Sequence, residues 1–399
     1  MHGVACICTL HCARREKRNS INVALTILHT DPSDKQNYEE QVTEKKQRYV
    51  IQAAKPGYAK LSQSIPVVGT WDDHDYGGND SGESYKGKQE SKQLFLDFLG
   101  TPLDNPVRLR NGIYSSHLLG VGADRVNLIL LDLRWWRNAK DILGEEQWAW
   151  LRQQLGVVTN QRYDNNHGNA TAPAPVMNIL VTSTQLVVHD PVRIGDRWGH
   201  WSHAKKRLYA MIEASPVPTV AISGDMHVAE ISRDCNVIKR WGGLLDITSS
   251  GLTHTRWQWS GQAVCNPQRI SDQSFELNWA DATFDWLART ATFAIRDKGG
   301  DVIYSETVNF GTTTTAACRT GQGAHMVCGL AYVFSQLVAI FLVLVGIFCV
   351  CPCLVLRDSR RRKLSFWVTC VDWARAPDRV IRRWRGLPSI KRPESQSEA

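Results

Sequence analysis

Gly69-Thr70-Trp71-Asp72-Asp73-His74-Asp75-Tyr76-Gly77-Gly78-Asn79-Asp80 is the stretch that decides how this 399-residue chain is read. Four acidic residues and a histidine fall within it. The apolar pair Val67-Val68 leads in, and Gly77-Gly78 follow the acidic cluster. That order predicts a short buried strand running into a tight loop. Loops at the ends of buried strands are where a rigid scaffold presents chemistry. Carboxylates packed this closely repel one another, and a cation relieves the repulsion. Carboxylate oxygens with an imidazole suit hard or borderline divalent metals. Asp, Asn and Gly are also ordinary turn residues, so a solvated turn is the competing reading. His74 between Asp73 and Asp75, with a second His-bearing loop downstream, favours the metal site.

The same pattern recurs outward from this stretch. Asn127–Leu133 reads as a strand ending in Asp132-Leu133-Arg134, and Met177–Thr182 as one ending in Ser183-Thr184-Gln185. Thr219–Ser223 runs into Gly224-Asp225-Met226-His227, and Leu244–Thr248 into a loop that ends at His254. Helical spacing of apolar residues marks Tyr38–Leu61, Ser91–Leu99, Gly144–Leu155 and Trp198–Met211. Thr290–Arg296 and Val302–Asn309 flank Asp297-Lys298-Gly299-Gly300, a hairpin signature. Strands alternating with helices predict an α/β core with its site at the strand ends, at residues 72–75, 132–134, 225–227 and 249–254. Asp225 and His227, two apart on a loop tip, are able to address one ion. Arg134 reads either as a phosphate clamp or as a structural ion pair with Asp132. Residues 1–35 show no clear period and stay unassigned.

Five segments together resemble the PhoD-like (alkaline phosphatase D-like) metallophosphatases of the calcineurin-like superfamily. They are Pro66–Asp80, Leu131–Arg137, Leu143–Leu151, Ser223–Ile231 and Thr248–Thr255, in that order across roughly residues 40–310. The resemblance implies a sandwich of two β-sheets flanked by helices and metal-assisted hydrolysis of a phosphoester. It implies two divalent or trivalent ions, from Ca, Fe, Mn or Mg. Carried over, it makes Asp73 a metal ligand and His74 the catalytic histidine. Asp225 and His227 take the place of a Gly-His-x-His ligand pair. Asp72 flanks them as a further ligand, with Asp75 beside it to ligate or orient. Arg134 and His254 face the substrate. The family also carries an upstream Gly-Asp element, whereas this chain has Gly-Asp only at 195–196, 224–225 and 300–301. The expectation is therefore that the first ligand strand is missing, through a truncated N-terminus or genuine loss. If it is lost, a catalytically impaired fold kept as a binding ectodomain is the alternative function.

The formal net charge is +8, but residues from Arg357 onward hold 12 Lys+Arg against 5 Asp+Glu, so that tail carries +7 and the rest +1. The basic balance therefore belongs to a tail and argues against a nucleic-acid partner. No charged residue lies between His325 and Arg357, and 327–350 is almost wholly apolar. At ~1.5 Å per residue that run exceeds the roughly 30 Å hydrocarbon core, which predicts one transmembrane helix. Arg360-Arg361-Arg362 and Lys363 follow it, so the tail is expected in the cytosol and the catalytic domain lumenal or extracellular, in a single-pass protein. The expected divisions are 1–35 unassigned, 36–310 metallophosphatase domain, 311–326 linker, 327–350 membrane helix and 357–399 basic tail. The tail mixes Trp and aliphatic residues with Arg, so it reads as lipid-contacting interfacial segments or as a disordered basic tail. Of 11 cysteines only Cys235, Cys265 and Cys318 fall in the globular part, with Cys235–Cys265 a possible bridge. Cys351 and Cys353 are palmitoylation candidates or packed apolar residues. Asn169-Ala170-Thr171 is a glycosylation sequon that matters only in a lumenal setting.

Overall fold

The computed structural model describes residues 6–9, 19–21, 37–157, 174–188, 196–255, 266–313 and 318. In chain order come β1 (Cys6–Thr9), β2 (Asn19–Ile21), α1 (Tyr38–Ala54), α2 (Pro56–Ser64), β3 (Val67–Thr70) and α3 (Asp73–Tyr76). Then come α4 (Lys88–Phe98), β4 (Ser115–Val121), β5 (Asp124–Leu130), α5 (Gly144–Gln154), β6 (Met177–Thr182) and α6 (Ser202–Ala214). The chain continues with β7 (Thr219–Ser223), β8 (Ala229–Asp234), β9 (Leu244–Ser249), β10 (Asn278–Asp285), β11 (Thr290–Asp297) and β12 (Val302–Asn309).

Six strands form one mixed sheet in the order β4-β5-β6-β7-β9-β8. Its centre, β5-β6-β7-β9, is parallel, and β4 and β8 run antiparallel at the two edges. Parallel strands need both faces covered, and β6, β7 and β9 are buried along their whole length. On one face Leu128, Val181, Ile222 and Ile247 meet Ala282, Phe284, Phe293 and Ile295 of a second, antiparallel sheet. That sheet has the order β12-β11-β10-β2. On the other face Ile129, Leu180 and Ala221 meet Trp148 and Leu151 of α5 and Leu208, Met211 and Ile212 of α6. The switch from Leu128 to Ile129 across the sheet is the two-residue pleat of a strand. The described residues thus form a mixed α/β sandwich of these two larger sheets, with helices on the outer face of the six-stranded one and a separate two-stranded ribbon of β1 and β3. Because the four central strands are parallel, the loops that follow Leu130, Thr182, Ser223 and Ser249 all leave at one edge.

Several local expectations change. The single helix expected over Tyr38–Leu61 is two, because Pro56 starts α2 and holds Lys55 extended at ψ 126°, as the residue before a proline prefers. Residues 1–35 contain two strands. β1 pairs antiparallel with β3, Cys6 opposite Thr70, and β2 pairs with β10. A strand therefore does lie beside β3, although it carries no Gly-Asp element. Cys235 is bonded to Cys318, at a Cα separation of 5.7 Å, rather than to Cys265. Gly243 makes room for that closure. It has φ +97°, and a Cβ there would lie 2.8 Å from Cys318 Sγ.

The described residues all belong to the first of two compact units, residues 1–331. Among them no helix is long and apolar enough to cross a membrane. The apolar run 327–350, the basic tail 357–399, Cys351, Cys353 and the Asn169 sequon lie outside the described residues.

Candidate active site

The motif turn is fastened to the central sheet at its base. Thr70 Oγ1 donates to Leu131 O at 2.6 Å and Trp71 Nε1 donates to Asp132 Oδ1 at 2.8 Å. These bonds bring the end of β3 against the end of β5. Trp71 is fully buried, stacked on Trp135 at 6.3 Å and edge-on to Tyr76 at 5.0 Å. The acidic residues then make one helical turn, α3, which carries Asp73 and His74 inward. Asp73 Oδ1 accepts from His74 N at 2.8 Å and Oδ2 from Asp80 N at 3.0 Å. Burial works against the Asp73 charge, but Arg134, His74 and these two N–H donors outweigh it and hold the carboxyl below its ordinary range. His74 is buried, its Nε2 4.0 Å from Asp73 Oδ2.

Helix α1 braces this turn from behind. Tyr49 Oη donates to Asp75 Oδ1 at 3.0 Å, and Asp75 Oδ2 accepts from Asp72 N at 3.4 Å. Lys45 Nζ donates to Tyr76 O at 2.8 Å and Ser91 Oγ at 3.0 Å. Burial pushes the Asp75 carboxyl up to about 7, against Tyr49, the Asp72 N–H and Lys45. Burial lowers the Lys45 ammonium to about 7, against Asp75.

Arg134 is neither solvent-facing nor paired with Asp132. It is 0% exposed, with Nε 2.7 Å from Asp72 Oδ1 and Nη1 2.7 Å from Asp196 Oδ2; Nη2 also meets Asp72. Ser183 Oγ adds a bond to Asp72 Oδ1 at 2.9 Å. Asp132 is instead saturated by N–H donors, from Trp71, Arg134, Trp135 and Ile113. Asp196 turns outward to Arg137, whose Nη1 lies 3.0 Å from Oδ2. Arg137 in turn donates to Asp80 O at 2.9 Å. Burial raises the Asp72 carboxyl well above its usual range; Arg134 opposes this, while Asp73, Asp225 and Asp196 add to it. The Asp225 carboxylate is therefore within electrostatic reach of the Asp72 pocket.

The Gly-Asp-x-His loop holds two non-glycine residues in the left-handed region, Asp225 at φ 66° and His227 at φ 54°. Such conformations persist where surrounding contacts enforce them. His227 N donates to Ser250 Oγ at 3.0 Å, and the His227 and His254 rings sit 4.3 Å apart, edge to face. Burial lowers the His254 imidazole. Thus Asp72, Asp73, His74 and Arg134 form one buried cluster, Asp225 acts on Asp72 electrostatically, and His227 pairs with His254 on the neighbouring loop.

Ser183, Asp196, Tyr49 and Lys45 join the site without having been singled out from the sequence. Asp196 lay in one of the Gly-Asp pairs, and Ser183 at a strand tip, which were the available signals. Tyr49 and Lys45 are ordinary members of a charged helix until the fold shows what they touch.

The metal pair implied by the resemblance does not fit these residues as they stand. Among the described residues no three His, Cys, Asp or Glu side chains are grouped to hold one ion. One oxygen of Asp72 is already taken by Arg134 and Ser183. Its other oxygen is buried and makes no hydrogen bond among the described residues.

No family model matches the sequence, and no curated protein matches it. A solved structure of PhoD is similar over 64% of this chain and 55% of its own, with a TM-score of 0.43 and 16% identity. The chain thus spans about half the length of that structure.

Proposed function

We propose that this chain is a phosphoester hydrolase, PhoD-like in its site motifs. The observation that supports it is convergence. The Gly-Asp-x-His loop and the His254 loop leave the six-stranded sheet at the edge where its parallel strands end, and the acidic turn, which follows β3, is docked on Leu131 and Asp132 at that same edge, which is where such folds place their sites. In this reading His74, carried on α3, gives a proton to a leaving alkoxide or aryloxide oxygen, or stabilises the charge that develops there. His227 and His254 offer two further imidazoles at the same edge. Hydrolysis needs a water to attack phosphorus in line as the leaving oxygen departs. The assay is turnover of an aryl phosphate and an aryl phosphodiester by the full-length chain, with and without Mn²⁺, Ca²⁺ or Fe³⁺. Phosphate-inhibitable release of the aryl alcohol supports the reading, and no release under any of these conditions sinks it.

A second reading has its own observation. Arg134 fills the pocket between Asp72 and Asp196, which suits a fold kept for binding without turnover. Retention of inorganic phosphate without hydrolysis would favour it.

For either reading we propose a single-pass anchor through 327–350, with the described domain in an oxidising compartment. The Cys235–Cys318 bridge is what supports the compartment, since structural disulfides persist there. Release of the chain from membranes by alkaline carbonate would refute the anchor.

A further inference from the structure

Two buried carboxylates, Asp72 and Asp196, meet at the interior of this site, with Asp73 next to Asp72 on the motif turn. Burying like charges together is costly unless a positive charge is supplied among them. The chain supplies it covalently, through Arg137 on the outer side of Asp196 and Arg134 between Asp72 and Asp196. Arg134 enters from the end of β5, its backbone N–H fixed by Asp132 Oδ1 at 2.9 Å. Its guanidinium then spans two carboxylates from different parts of the chain, Asp72 on the motif turn and Asp196 ahead of α6.

We propose that Arg134 is the resident cation of this pocket, holding with a guanidinium the place between Asp72 and Asp196 that a divalent ion takes in a metal-bridged carboxylate site. Three observations carry it. The side chain is 0% exposed, so solvent does not compete for it. Its Nε and Nη2 donate to Asp72, and its Nη1 lies 2.7 Å from Asp196 Oδ2 as an ion pair, so one planar guanidinium stands between two acids. And the Asp72 oxygen it uses, Oδ1, is also held by Ser183, so an ion seated on that oxygen would have to displace two partners, Oδ2 being the one that makes no hydrogen bond among the described residues. A guanidinium stays charged throughout the accessible pH range. Unlike a metal it cannot be chelated or exchanged, so one positive charge is set between Asp72 and Asp196 as soon as the chain folds. The inference concerns stability and ion response, and holds whether or not the site turns over substrate.

The test is thermal melting of the full-length chain in EDTA and in millimolar Mn²⁺ or Ca²⁺, for wild type, Arg134→Met and Asp72→Asn/Arg134→Met. Wild type should melt at the same temperature in both. Arg134→Met should melt lower in EDTA, because Asp72 and Asp196 are left facing each other, and should regain about 4 °C or more with the ion. The double variant, with one of the two charges removed, should melt above Arg134→Met in EDTA and lose the ion response. A wild-type melt that rises with the ion as much as Arg134→Met does would overturn the proposal. So would a folded Arg134→Met that ignores the ion. If Arg134→Met does not fold, wild type and the double variant decide: an ion-dependent wild type, or a double variant equally unfolded, overturns it.

Discussion

Asp132 gives the sharpest stability test, because it holds together both halves of the site without touching a substrate. Its Oδ1 accepts from Trp71 Nε1, Arg134 N and Trp135 N at 2.8, 2.9 and 3.0 Å, and Oδ2 from Ile113 N at 2.9 Å. The carboxyl is 0% exposed, and neighbouring Gly112 has φ +73° and no room for a Cβ, which would lie 2.9 Å from Oδ2. Asp132→Ala leaves four buried N–H donors without an acceptor. At ~1–3 kcal/mol per stranded group, with partial relaxation, the expected loss is about 4–6 kcal/mol. Asp132→Asn keeps the shape and one oxygen. Placed with that oxygen toward the three Oδ1 donors, it forfeits only the Ile113 bond, so about 2–3 kcal/mol is expected. Urea unfolding of the full-length chain reads both as a drop in midpoint at unchanged slope. If the two substitutions destabilise equally, or either by less than ~0.5 kcal/mol, the carboxylate does not perform this anchoring.

Further outcomes follow from other contacts. Cys235→Ser opens a bridge that spans 83 residues of sequence and should lower stability by about 2–5 kcal/mol; non-reducing peptide mapping should recover Cys235 joined to Cys318. The Asp75 carboxyl is raised from 3.8 to about 7, so between those values the folded state holds a proton that the unfolded state has lost, and stability should fall as pH rises from 3.8 to 7. Lys45 is lowered from 10.5 to about 7, so the unfolded state holds the extra proton there, and stability should recover from 7 to 10.5. Asp75→Asn should abolish the fall, measured by denaturant midpoint against pH. Trp71→Ala removes a fully buried ring that also donates to Asp132, and a loss of about 3–5 kcal/mol is expected in the same unfolding assay.

The strands whose apolar runs are buried on both faces were legible in the sequence. β6 and β7 occur at the residues expected, since a parallel central strand is a continuous apolar run. β8 was not legible: its Ala-Glu-Ile-Ser-Arg-Asp reads polar, because Glu230 is buried and held by Gln185, Asn266, Arg269 and Gln273 rather than by apolar neighbours. β4 begins with half-buried polar residues at the sheet edge, where periodicity is weakest. At the site, the Asp-rich turn and the Gly-Asp-x-His loop stood out by residue type and spacing. The partner of Arg134 did not, because Asp72 and Asp196 lie far from it in sequence and only the docking of β3 on β5 brings them near. The same holds for the Cys235–Cys318 pairing, where three candidate cysteines left the choice to chain path.

The measurement that tests the central claim most directly is steady-state hydrolysis of an aryl phosphate and an aryl phosphodiester by wild type, His74→Ala and Asp73→Ala, each confirmed folded by its melting transition. On the roles proposed for His74 and Asp73, either substitution should lower turnover by on the order of 10²-fold or more. Activity that survives both substitutions unchanged would contradict the placement of a phosphoester site at this edge of the sheet.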